Sequence, residues 1–106
     1  MDQVQMMRRL ELHEIFREIL GSDNVYFQPP ESIKLKYPAI IYSRENIENT
    51  AADNKTYKQS HFYTVTVIDY DPDSEIVHKV SRLPMCIYDR HFASDNLNHD
   101  VFTICY

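Results

Sequence analysis

Apolar residues change their spacing along this chain, and each change marks an element. Leu12, Ile15, Phe16, Ile19 and Leu20 fall at i, i+3, i+4, i+7 and i+8, the single stripe of an amphipathic helix. Arg8, Arg9, Glu11, Glu14, Arg17 and Glu18 take the other face, so the spacing predicts a helix over residues 3–20. Glu14 and Arg17 make a helpful pair three residues apart, whereas Glu14 and Glu18 repel. Gly21 stands just past the last apolar residue, where a left-handed residue commonly closes a helix.

The period then shortens to two. Asn24 to Gln28 reads as a short strand ended by Pro29-Pro30, Glu31 to Lys36 as a connector, and Tyr37 to Ser43 as a second strand with Pro38 at its start, where a missing N–H is tolerated. In that strand Ile40 and Tyr42 share one side, Ile41 and Ser43 the other. Residues 44–60 are polar; so long a polar stretch in a small domain reads as a protruding hairpin arm, with Asp53-Asn54-Lys55 as its turn. His61 to Tyr70 alternates again, with Tyr63, Val65 and Val67 on one face and Phe62, Thr64, Thr66, Ile68 and Tyr70 on the other. Apolar groups on both faces suit a central strand covered on both sides, or one buried in an oligomer.

Asp71 or Asp73 is then expected to cap a helix running from Ser74 to Leu83, with Ile76, Val80 and Leu83 as its buried row and Pro84 as its stop. Met85 to Phe92 reads as a strand, Ala93 to His99 as a turn, and Asp100 to Tyr106 as a closing strand paired with it. The expected fold is α+β in the order α-β-β-β-α-β-β: a mostly antiparallel sheet of about five strands with two helices packed on one face.

Composition narrows the function. The chain has 106 residues, enough for one domain. Gly21 is the only glycine, which excludes glycine-rich phosphate loops and dinucleotide fingerprints. Sixteen acidic residues against eleven basic ones give a net charge of -5, so no basic face for nucleic acid can be read. No apolar run is long enough to span a bilayer and no signal peptide is evident.

The candidate chemistry is thin. Asp69, Asp71, Asp73 and Glu75 alternate like the start of a calcium loop, but Ser74 and Val80 stand where that loop needs glycine and glutamate; capping is the better account. His13-Glu14 opens like a zinc-protease helix, but Arg17 replaces the second histidine, leaving His13 as a solvent-facing residue. His91, His99 and Asp100 flank the last turn and could converge as a metal or acid–base site. Cys86 and Cys105 have no zinc-site spacing, and read as small core residues on adjacent strands, with a disulfide as the minor alternative. Eight tyrosines beside a polar arm tilt the reading toward subunit contacts, since tyrosine is enriched at interfaces.

The whole-chain pattern resembles the tail terminator, or tail-to-head joining, proteins of long-tailed phages and prophages. The likeness rests on the N-terminal helix ending in Leu20-Gly21, the Tyr37-Pro38-Ala-Ile-Ile strand, the polar arm through Ala51-Ala52-Asp53, the alternating Tyr63 to Ile68 strand, the helix Ser74 to Leu83 and the closing hairpin. It implies a non-enzymatic virion protein, assembled in the host cytoplasm without catalytic residue, metal or cofactor. Such a protein caps the tail tube as a ring, expected to be a hexamer, and joins it to the head. Its partners would be further copies of itself, the tail tube protein and the head connector protein; no membrane is involved. DNA would pass through the lumen without specific binding, eased by acidic residues that repel phosphate. By position, the arm residues Glu45, Asn46, Ile47, Ala51, Asp53, Asn54, Lys55, Tyr57 and Lys58 would form the contact surface. Two alternatives stay open: a head-completion or neck connector protein, and a small α+β ligand-binding or enzyme subunit.

Overall fold

The computed structural model describes residues 3–52 and 56–106. They form an α+β fold in the expected order: α1 (Gln3–Leu20), β1 (Val25–Phe27), β2 (Ala39–Ala52), β3 (Thr56–Asp69), α2 (Glu75–Ser81), β4 (Cys86–Ser94) and β5 (Leu97–Cys105). The five strands make one sheet in the order β1-β2-β3-β5-β4. Every neighbouring pair is antiparallel except β1 with β2. Because β5 returns between β3 and β4, β4 becomes an edge.

Both helices lie on one face. Leu12 and Phe16 of α1 and Val80 of α2 are fully buried with Ile40 and Tyr42 of β2, Tyr63, Val65 and Val67 of β3, and Phe102 and Ile104 of β5. Each such aliphatic or aromatic side chain contributes roughly 1.5–3 kcal/mol on burial. Aromatic rings tie the layer together: Tyr42 meets Phe16 edge-on at 5.3 Å between centroids and Tyr63 at 6.0 Å, geometries that the ring quadrupoles favour. Helix α2 is two turns long and would not persist alone; Ile76, Val77 and Leu83 pack beside Val80 against the same core.

The local chemistry of the ends differs in places from what the sequence suggests. Gly21 closes α1 as expected, at φ 76° with its N–H donating to the Arg17 carbonyl at 2.8 Å. The cap of α2 is Ser74 rather than Asp71 or Asp73: the Ser74 hydroxyl accepts from the Ile76 N–H at 3.2 Å. Asp69 and Asp71 instead fold the approach, each accepting the N–H two residues on at 3.1 and 2.9 Å, as short acidic side chains do in turns. The regular helix ends at Ser81, where Arg82 and Leu83 turn to carbonyls three residues back. The turn expected over Ala93 to His99 shrinks to Asp95-Asn96. Both have positive φ, 53° and 64°, as a two-residue hairpin turn demands, and this frees the flanking residues to pair.

One correction concerns His13. It faces the sheet instead of solvent, half-buried, with Nδ1 2.7 Å from the Tyr42 hydroxyl. Arg9, placed by periodicity on the outer face, lies 4.1 Å over the Phe27 ring and reaches the same hydroxyl at 3.5 Å. Long and amphipathic side chains can cover an aromatic seam while keeping their polar ends satisfied, which a simple apolar count misses. A second difference concerns β3. The helices cover only its Tyr63-Val65-Val67 face; Phe62, Thr64 and Thr66 on the other remain half-buried under no second layer.

Candidate interaction surfaces

Strands β2 and β3 are each 14 residues long, far longer than the rest of the sheet needs. β1 pairs with β2 only as far as Tyr42, and β5 pairs with β3 only from Phe62 inward. Beyond those points, past the Phe62 pairing with Cys105 and the His61 carbonyl bonded to Tyr106, β2 and β3 pair with each other alone, from Glu48↔Ser60 to Ala52↔Thr56. At about 3.3 Å per residue this bare stretch projects roughly 17 Å, and the molecule is long, 51 × 25 × 23 Å. A register shift between Arg44 and Asn46 marks where the ribbon leaves the body, the place where a bulge adds twist and redirects a strand.

The residues singled out in the sequence divide along this arm. Glu45 sits in the shift and turns back onto the body: one carboxylate oxygen accepts from the Thr64 hydroxyl at 2.8 Å and from the Thr103 hydroxyl at 3.4 Å, stitching β2 to β3 and β5. Asn46 and Ile47 follow, opposite Phe62 and His61, and both are exposed. Ala51 pairs with Tyr57 and Lys58 with Thr50, farther out. Asp53, Asn54 and Lys55 lie outside the described residues. The arm is anchored at its base, where Tyr106 N–H donates to the His61 carbonyl at 3.0 Å.

Two surfaces escaped the sequence reading. Val4, Met7 and Leu10 form an exposed apolar row on α1, spaced three apart; the signal was present but overshadowed by the stronger stripe behind it. Met85 just before β4, and Ile87, Tyr88 and Phe92 along it, are all exposed, and every residue of the strand after Cys86 is open to solvent. Met85 also borders a cleft of about 440 Å³ at the base of the arm, with Gln5, Arg8, Ser60, His61 and Tyr106. Tyr106 is held there by its hydroxyl, which donates to Glu11 at 3.2 Å, and by the Arg8 guanidinium 4.8 Å over its ring.

The candidate chemical groups do not come together. His91 pairs across the hairpin with Asp100, and Phe92 with His99, so the sheet register sends the two histidines to opposite faces. His99 stacks on Phe92 at 4.5 Å, His91 meets the Asn98 amide oxygen at 3.2 Å, and Asp100 accepts from the Tyr88 hydroxyl at 2.9 Å. Cys86 and Cys105 are free and half-buried on adjacent strands. Burial pushes the Cys86 thiol up to about 11, which suppresses the nucleophilic thiolate. Among the described residues, no three His, Cys, Asp or Glu side chains are grouped to hold a metal ion.

Under α1 the polar groups are paired. Gln5 Nε2 donates to the Tyr63 hydroxyl at 3.1 Å, and Tyr42 sits between His13 and Arg9. Desolvation, then the nearby Arg9, lower the His13 pKa from 6.5; desolvation raises that of Tyr42. These groups fix helix to sheet, since a buried hydroxyl left without a partner would be costly. No family model and no curated protein sequence matches the chain. Among the described residues no helix is long and apolar enough to cross a membrane.

Proposed function

We infer that this protein is a subunit of a larger assembly, and that the assembly is a ring which caps a phage tail tube and joins it to the head. The observation that carries this reading is the bare ribbon formed by the outer halves of β2 and β3. Two strands without a third neighbour or a covering layer are marginal in water; a chain that extends them for five residue pairs past its own sheet, Glu48↔Ser60 to Ala52↔Thr56, gains stability there when another molecule supplies the missing contacts. The exposed apolar row on α1 adds further surface of the kind used between subunits. The order of elements and the arm are the features on which the resemblance stated above rests.

In this reading the sheet builds the ring wall and the arm, from Asn46 outward, reaches a neighbouring subunit or the tube. Glu45 acts at the hinge, holding the arm's base at a fixed angle. The reading is tested by light scattering over a concentration series, with and without purified tail tubes. A mass near six times 12.6 kDa, alone or on tubes, supports a closed cyclic assembly. A protein that ignores tubes at every concentration overturns it.

A further inference from the structure

The outer edge of β4 carries a symmetry that its sequence hides. In a regular strand, residues five apart point to opposite faces. The register shift between Tyr88 and Arg90 changes that parity. Ile87 pairs with Thr103 and Phe92 with His99. Thr103 and His99 are four apart on β5, so Ile87 and Phe92 stand on the same face, the one away from the helices. By the same logic Tyr88, opposite Phe102, and His91, opposite Asp100, stand together on the helix face. The strand therefore reads alike in both directions about the midpoint between Asp89 and Arg90. Apolar residues lie outermost on one face, aromatic rings inside them on the other, and one charge of each sign at the centre.

We propose that β4 is a self-pairing edge: two copies of this chain join β4 to β4, antiparallel across a twofold axis at the Asp89–Arg90 midpoint, into a ten-stranded sheet. In that register Ile87 of one copy opposes Phe92 of the other, Tyr88 opposes His91, and Asp89 opposes Arg90, each contact made twice. Cross-strand pairs of opposite charge and of aromatic with β-branched residues are those that stabilise sheets, and like charges directly opposite do the reverse. A shift of the pairing by one residue would break the palindrome. It would set Arg90 against itself or Asp89 against itself.

The exposures fit an edge awaiting a partner: Ile87 is 70% exposed, Tyr88 48% and Phe92 42%. Asp89 and Arg90 now pair within the strand, where both remain in solvent and the contact is weak; they are free to exchange partners across the axis. One strand edge buries less than the roughly 800 Å² per partner of a standard stable interface, so the dimer is reversible and grows with concentration. The proposal is independent of the ring reading, because a ring needs two different surfaces whereas this contact uses one surface twice.

The test uses the full chain with Cys86→Ser and Cys105→Ser. Ile87→Cys and Phe92→Cys are added together, with a short thiol crosslinker at rising protein concentration. A covalent dimer that grows no further, and that neither single cysteine gives, is the expected result. A ladder of higher species, or no crosslinked dimer, overturns the proposal. Asp89→Arg, in the native background, should weaken dimerisation by about tenfold or more with the far-UV spectrum retained, and Asp89→Arg with Arg90→Asp should restore it. A doubly exchanged protein that stays monomeric while folded also overturns the proposal, because it preserves every charge pair in the stated register.

Discussion

The two edges of the sheet are finished in opposite ways. On one side, β1 is three residues long, runs parallel to β2 and stops where Gln28 takes a positive φ of 44° ahead of Pro29-Pro30. Its Val25 points into the core. Proline cannot donate to a further strand, and an edge so short offers little to pair with. On the other side, β4 is nine residues long, contains no proline and displays Ile87, Tyr88 and Phe92. The first edge is protected by its own chain. The second has only a bulge and one ion pair as protection, which is the expected state of a strand whose neighbour comes from another molecule. The arm belongs with β4 in this respect, and the helix-covered face with β1: one side of the sheet is covered by the chain's own residues and the other is exposed.

The comparison is broken most severely from within. Phe102 is fully buried where β5 carries β4 on the core, with the Tyr88 ring 5.2 Å away. Phe102→Ala is expected to cost about 3–5 kcal/mol by cavity formation, measured by urea unfolding, and to loosen the β4 side first in hydrogen exchange. On the β1 side, Val25→Ala removes about two buried methylene equivalents and should cost about 1.6 kcal/mol, without changing the association state. Ile87→Lys sharpens the contrast: stability should stay within about 0.5 kcal/mol, while any self-association detected by sedimentation falls. An equal loss of stability from Ile87→Lys and Val25→Ala would mean that the edges do not differ as described.

The arm gives a subtler version of the same test. Deleting Ala51 to Lys55 is expected to leave the monomer folded, with its melting curve little changed, and, under the proposed ring function, to abolish assembly on tail tubes. A deletion that fails to fold would make the arm part of the monomer's own stability. Smallest is the effect of pH through His13. Its folded pKa lies below its unfolded value of 6.5, so below 6.5 the unfolded chain takes up the proton more readily. This stabilising contribution is complete above that pH and is lost as the pH falls through and below it. Comparing unfolding of the native chain and His13→Gln from pH 7.5 downward should show a steeper acid loss in the native chain.

Much of the architecture was legible in the order of residues. Periodicity located both helices and every strand, because burial on one face imposes 3.6 or 2 on the pattern before any tertiary contact is known. Gly21 as the stop of α1 followed from backbone sterics alone. What misled was local competition among similar groups. Asp71, Asp73 and Ser74 can all cap, and the turn geometry at Asp69 and Asp71 left the position to Ser74. His13 and Arg9 have polar ends that suggest solvent, yet the Tyr42 hydroxyl under α1 offers a partner that a linear pattern does not show. The arm residues could be named by polarity. What each does depends on a register shift at Glu45 that composition does not encode.

By itself the sequence determined the kinds and order of the elements, the buried stripe of α1, the alternation of β3 and the want of a convincing catalytic motif, since these depend on side chains near one another along the chain. The tertiary structure alone decided that β5 lies between β3 and β4 and makes β4 an edge, that His91 and His99 face apart, and that Ile87 and Phe92 face together. Those outcomes turn on strand order and register, in which one inserted residue reverses every side chain beyond it.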